Sequence, residues 1–221
     1  MKKLLTITIL LLAFALLVAV ESDPSNVVGY FKKNVPAGFA KPASIPFAYD
    51  DLSVDNVLGT QFAEEDRVIE ANYGSMTDFI DGWGWFGDLV EFTYGGAYTV
   101  KRQEANGNLD YYLLGTVDPQ PISVNIRGNG WWTAFSLNEA TEIELTENFF
   151  GNNSNEDDRL IDNDTGELSE YFDFFGWFGD VVVLKPTNAY SYYVIPGAPD
   201  FTLNYPSGRG FSQPSPSFRS K

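Results

Sequence analysis

The chain has 221 residues, with 30 acids against 14 bases, a formal charge of −16, and neither cysteine nor histidine. Those counts exclude a Ser-His-Asp or Cys-His catalytic centre, a Cys/His zinc site, every disulfide, and lipid attachment through an N-terminal cysteine. The acidic excess argues against nucleic acid as a partner, because affinity for phosphate backbones comes from Lys and Arg. Carboxylate chemistry, hard-cation binding through oxygen ligands, and binding or assembly through an aromatic surface stay open.

Met1, Lys2 and Lys3 precede an apolar run from Leu4 to Val20, and Glu21, Ser22, Asp23 and Pro24 follow it. Two lysines, a hydrophobic stretch and a polar exit predict a secretory signal peptide over residues 1–22, and hence a secreted, extracellular or cell-surface protein that meets the membrane only through this segment before cleavage. An uncleaved anchor is the competing reading, since the run is close to the ~17 residues a span needs. Loss of residues 1–22 leaves 12 bases and 29 acids, a net charge of −17.

An internal repeat follows. Gly38 and Gly130, Asn56 and Asn148, and Gly59 and Gly151 are each 92 residues apart. At the same offset Glu64-Glu65-Asp66-Arg67-Val68-Ile69 matches Glu156-Asp157-Asp158-Arg159-Leu160-Ile161. The strongest match is Trp85-Phe86-Gly87-Asp88 with Trp177-Phe178-Gly179-Asp180, each after a glycine. An offset that holds without a gap from residue 38 to residue 98 reads as a duplication.

In each copy a β-branched lead, Val27 to Val35 or Ile122 to Ile126, enters a glycine turn and continues as a strand, Phe39 to Phe47 or Trp131 to Leu137. Asp55 to Gly59 and Glu147 to Gly151 predict one helical turn stopped by glycine. Arg67 to Asn72 with Met76 to Asp81, and Arg159 to Asn163 with Leu168 to Phe174, predict hairpins. After a Trp-Phe-Gly-Asp turn, Leu89 to Phe92 and Val181 to Leu184 read as buried strands, and Ala97 to Lys101 and Ala189 to Ile195 as their partners. Leu109 to Thr116 and Phe201 to Tyr205 close the copies. No amphipathic helix exceeds two turns after the signal segment, so the fold class is all-β, with repeats over 23–117 and 118–205 forming two small sandwiches or one shared sandwich. Residues 206–221 turn to Ser, Pro and Gly with Arg209, Arg219 and Lys221, and read as a flexible tail that could dock its Phe211 and Phe218 on a neighbour's acidic surface.

Four groups of residues could carry function. The repeated Trp85, Phe86, Gly87, Asp88 and Trp177, Phe178, Gly179, Asp180 read as core plugs at tight turns, because large aromatics dominate burial. Trp83 and Trp132 are not repeated as Trp, which makes them candidates for stacking on sugar faces. Asp162, Asp164 and Glu167 are the weak calcium candidates; they lack the third ligand before the glycine and the bidentate twelfth-position Glu of a calcium loop, so hairpin chemistry explains them without a cofactor. The matched Glu65-Asp66-Arg67 and Asp157-Asp158-Arg159 read as strand-entry residues with a local ion pair. Thirty acids guarantee coincidental carboxylate pairs, so their number alone does not point to glycoside hydrolysis.

Asn26-Val27-Val28-Gly29-Tyr30, Val35-Pro36-Ala37-Gly38-Phe39, and the Ala97-Tyr98 and Ala189-Tyr190 strand starts resemble a broad group of secreted, mostly uncharacterised bacterial proteins with duplicated β-domains. The likeness covers residues 26–205. It implies an extracellular β-domain, carries no catalytic set and is silent on ligand. Arg127-Gly128-Asn129-Gly130 stands in the second copy in place of Val35-Pro36-Ala37-Gly38. The expectation is a secreted, non-enzymatic structural or surface protein that self-associates into a filament or layer or joins other surface components. The alternative is a polysaccharide-binding module that uses exposed Trp or Tyr.

Overall fold

The structure is a computed structural model and describes residues 28–146 and 149–205. The expected signal segment, the 206–221 tail, and Glu147 and Asn148 of the second helical turn lie outside the described residues. The chain is all-β, as its alternating segments predict. In the first half, β1 (Val28–Val35) pairs antiparallel with β7 (Leu109–Thr116). Between them β2 (Ala40–Ala43), β3 (Arg67–Glu70), β4 (Met76–Ile80), β5 (Gly84–Gly87) and β6 (Tyr98–Lys101) form a five-stranded sheet in the order β2-β6-β3-β4-β5.

The second half has the same arrangement. β8 (Ile122–Ile126) pairs with β16 (Phe201–Tyr205). β9 (Trp132–Ser136), β11 (Arg159–Asp162), β12 (Leu168–Phe172), β13 (Gly176–Gly179) and β15 (Ala189–Tyr193) make a sheet in the order β13-β12-β11-β15-β9. A short β10 (Ile143–Glu144) pairs with β14 (Val183–Leu184). The partners in the two large sheets correspond at 92 residues: Arg67 faces Asp78 and Arg159 faces Glu170, while Thr77 faces Gly87 and Ser169 faces Gly179.

Each sheet packs its inner face against its own two-stranded ladder. Val35, Leu109, Tyr111 and Leu113 of the β1–β7 ladder meet Val68, Phe79, Trp85 and Val100 of the first sheet. Ile122, Ile126 and Leu203 meet Leu160, Tyr190 and Tyr192 in a second, separate core. Of the two architectures left open by the sequence, this is two small sandwich-like units. Helix α1 (Val54–Leu58) plugs the first core with Val54, Val57 and Leu58; Ser53 Oγ accepts from the Asn56 amide at 3.4 Å and caps it, and Gly59 ends it at φ 59°.

Three expectations are corrected. Trp-Phe-Gly-Asp is an edge strand, not a turn: its glycines are needed because a Cβ would lie 2.2 Å from the Met76 carbonyl at Gly87 and 2.3 Å from that of Leu168 at Gly179. Leu89 to Phe92 forms no strand beyond one bridge from Glu91 to Ser53; it threads Leu89 and Phe92 into the core, and β6 pairs instead with β2 and β3. Finally, Leu109 pairs with Val35 and its counterpart Phe201 with Ile126, so the counterpart of Val35 is Ile126 and the second glycine turn is one residue longer. The extra length is accommodated at Gly128, where a Cβ would sit 2.3 Å from the Ala198 carbonyl.

Candidate functional site

The two ends of each sheet differ in what they meet. The β2 and β9 edges face the other unit: Asn72 bonds the backbone of Ala134, and Lys33 bridges the carbonyls of Pro42 and Thr187 at 2.8 Å each. At the far end of the first sheet, the β5 edge is closed by α1. Asp55 Oδ1 accepts from the Trp85 amide at 3.3 Å, and the Trp85 indole donates to the Gly59 carbonyl at 3.1 Å. At the β13 edge the counterpart of Asp55, Glu147, lies outside the described residues. Among the described residues no hydrogen bond reaches Gly176–Gly179 from the side away from β12, and the buried indole N–H of Trp177 has no acceptor.

The corner beside that edge is apolar. Phe174 and Phe175 in the β12–β13 turn are 98% and 79% exposed, and Phe178 on β13 is 68% exposed. Phe174 also adopts φ 70°, a left-handed backbone that suits glycine and disfavours a bulky side chain; its counterpart Gly82 holds the same conformation at φ 78°. A phenylalanine that is fully exposed and held in a strained backbone contributes nothing evident to the core, and such outliers concentrate at functional sites.

Glu156, Asp157 and Asp173 lie at the turn end of this edge and Asp180 at its other end, all exposed and none with a Lys or Arg partner among the described residues. Glu156 is consumed locally, accepting from the Asp173 amide.

The outer face of the second sheet presents a cross-strand row. Trp132, Tyr193, Arg159, Glu170 and Phe178 stand opposite one another on β9, β15, β11, β12 and β13. The rings of Trp132 and Tyr193 lie 5.0 Å apart at 41°. Arg159 Nε donates to Glu170 Oε1 at 2.8 Å in the middle of the row. The equivalent row on the first sheet is Ala40, Lys101, Arg67, Asp78 and Phe86, so the aromatic pair is peculiar to the second unit.

The candidate residues thus separate. Trp83 is exposed in the β4–β5 turn, 6.4 Å edge-on from Phe86, and belongs to the first sheet's far end; Trp132 lies in the row of the second sheet. Trp85 is a core residue, with Phe62 and Phe79 rings at 4.8 and 5.3 Å, and Trp177 packs between Phe150, Tyr171 and Tyr192. Phe86 and Phe178 point outward and are corrected from core to surface; Asp88 and Asp180 are exposed and follow the strands.

Asp162, Asp164 and Glu167 do not come together as one ligand set. Asp162 is buried, with Oδ1 accepting from the Asp164 amide at 2.8 Å and Oδ2 from Asn188 at 2.8 Å, whereas Asp164 turns toward Lys41 at 3.4 Å. No group of three acidic side chains converges among the described residues. An open cleft of about 660 Å³ on the first unit and the connector that leaves it is lined by Tyr49, Asp50, Asp51 and Asp118, but Asp51 accepts from the Ser53 amide and hydroxyl and Asp118 accepts from Gln120.

Sequence reasoning missed Phe174, Phe175 and Tyr193. The offset carried the signal for the first, since it sets Phe174 opposite Gly82. No protein-family model matches the chain, and neither the curated proteins nor the solved structures searched contain a match.

Proposed function

We propose that the chain is a secreted, non-enzymatic structural or surface protein that self-associates through the aromatic corner at β13. One observation carries the reading: Phe174, 98% exposed, held at φ 70° where the first unit has a glycine, beside a sheet edge with no strand partner among the described residues. Open edges with exposed aromatics are templates for pairing with another chain, and proteins that do not use them blunt them. A contact between unlike patches propagates into a filament or layer when its rotation does not close. The signal-like leader and the resemblance to secreted proteins support an extracellular setting.

The test is sedimentation velocity and electron microscopy of the chain without residues 1–22, over a wide concentration range, with and without calcium. Wild type is expected to form concentration-dependent oligomers. Phe174→Gly relieves the backbone strain, so it should raise the unfolding midpoint while abolishing the oligomers. Wild-type monomers at every concentration would sink the reading.

The Trp132–Tyr193 row favours a second reading, binding of an extended polysaccharide along the outer face of the second sheet, where aromatic rings supply broad apolar area with a polar rim. Glycan-array binding lost in Trp132→Ala and retained in Trp83→Ala would favour it, and no binding by wild type would remove it.

A further inference from the structure

The chain contains a segment suited to the β13 edge. Residues 23–205 hold 29 acids against nine bases, whereas the sixteen residues from Pro206 to Lys221 hold three bases and no acid. Two acidic corners brought edge to edge would set Asp173 and Asp180 against like charges. Opposite charge favours encounter and fixes partner choice, so the basic segment is the complementary surface.

Its proline spacing is also suited. Proline lacks the N–H that a paired strand donates, and the run Ser207-Gly208-Arg209-Gly210-Phe211-Ser212-Gln213 lies between Pro206 and Pro214 without one. Seven residues are enough to cover the four of β13. Alternation in an extended strand puts Arg209, Phe211 and Gln213 on one face. Laid beside β13, a strand with that face outward would continue the row that ends in the exposed Phe178, bringing an aromatic ring and a positive charge to an acidic edge.

Resting on the self-association reading, we infer that residues 207–213 of a neighbouring copy add to β13 as the sixth strand of the second sheet. Main-chain pairing gives such strand addition its affinity, and alternate side chains give its specificity. Repetition from copy to copy makes the contact head-to-tail, because the donor strand and the acceptor edge are different surfaces of one chain.

The test uses three chains lacking residues 1–22: wild type, a chain ending at Tyr205, and the Arg209→Glu/Phe211→Ser variant that keeps residues 206–221, each checked for folding by circular dichroism. Sedimentation velocity should find oligomers only for wild type. A labelled peptide of residues 206–221 should bind the chain ending at Tyr205. Its affinity should fall at least tenfold in Phe178→Asp, an exposed position whose fold is checked by circular dichroism, and should weaken with salt because the contact is charged. Oligomers of the truncated chain equal to wild type would overturn strand donation and leave self-association standing. Wild-type monomers would overturn both, including the case in which the peptide binds, since that is an intramolecular contact.

Discussion

Asn72 and Ala134 bond reciprocally across the two units: Asn72 Nδ2 donates to the Ala134 carbonyl at 2.7 Å, and the Ala134 amide donates to Asn72 Oδ1 at 2.8 Å. At the 92-residue offset their counterparts are Asp164 and Pro42. Proline has no amide N–H, so the reciprocal pair cannot form a second time. Lys33 fills the place instead. Its ammonium donates to the carbonyls of Pro42 and Thr187, with Asp164 and Lys41 beside it, and burial lowers its pKa. Thr187 is the counterpart of Gly95, whose carbonyl accepts from the Ser136 amide at 2.9 Å. The junction therefore follows the reciprocal pattern of an isologous contact, with its polar groups replaced on one side.

Asn72→Ala leaves the Ala134 amide and carbonyl of the β9 edge unpaired, and a buried polar group without a partner costs about 1–3 kcal/mol. A lower urea midpoint with an unchanged slope is the expected result. A slope that falls, with two transitions, would show that the units unfold separately once this pair is lost.

Asp66 and Arg102 form a pair that strand-entry reasoning assigns to the wrong partner. Arg67 binds Asp78 through two nitrogens, at 2.5 and 2.9 Å, on the outer face. Asp66 is fully buried, contacts Arg102, and also accepts from the amides of Ala63 and Gln103 at 3.0 Å. In the second unit Asp158 is buried without arginine, accepting from the Tyr192 hydroxyl at 2.8 Å and the Ile195 amide at 2.9 Å. Removing one partner of a buried ion pair costs about 3–5 kcal/mol, because the other charge stays behind. Arg102→Met should therefore lower the unfolding free energy more than Arg67→Met, whose pair is one-third exposed. Equal losses in guanidinium unfolding would refute the distinction.

The alternation of Leu109, Tyr111 and Leu113 along β7 is visible in the sequence because one face of the strand is buried and the other is not. The matched segments behind β3–β5 and β11–β13 are visible because both halves bury the same positions. The partner of Asp66 is not, since Arg102 stands just after β6 and its counterpart in the second unit, Val194, carries no charge. Nor does alternation reveal how an edge is closed: β5 and β13 share the sequence Gly-Trp-Phe-Gly, and the closure of β5 depends on Asp55 arriving from α1. The Trp132–Tyr193 pair was illegible for a similar reason, because register across β9 and β15 is a tertiary outcome.

Alkaline pH should unfold the protein through its tyrosines. Burial, followed by the charge and hydrogen bond of Glu139, raises Tyr205 to about 12. Tyr49, Tyr98, Tyr111, Tyr190 and Tyr192 shift the same way, each mainly through burial. Above the ordinary phenol value of about 10 the unfolded chain has lost protons that the folded chain keeps, so stability falls as pH rises. The contribution is fully present below pH about 10 and is lost as the solution passes through about 12. Tyrosinate absorbance should therefore rise in step with the loss of far-ultraviolet circular dichroism. Full tyrosinate absorbance with the dichroism intact would contradict the burial argument.

The two matched tryptophans give the most direct comparison between the units. Trp85 Nε1 donates to the Gly59 carbonyl at 3.1 Å, whereas the buried Nε1 of Trp177 has no acceptor among the described residues. Phenylalanine at either site removes the same volume from an aromatic cluster, so the cavity cost largely cancels between the two variants. What differs is the polar group. Trp85→Phe strands the Gly59 carbonyl, while Trp177→Phe removes an unpaired donor whose burial already costs about 1–3 kcal/mol. Trp85→Phe should therefore destabilise by about 1–2 kcal/mol more than Trp177→Phe in urea unfolding. Equal losses would mean that Trp177 finds an acceptor in the folded protein, and the second unit would then match the first at this position.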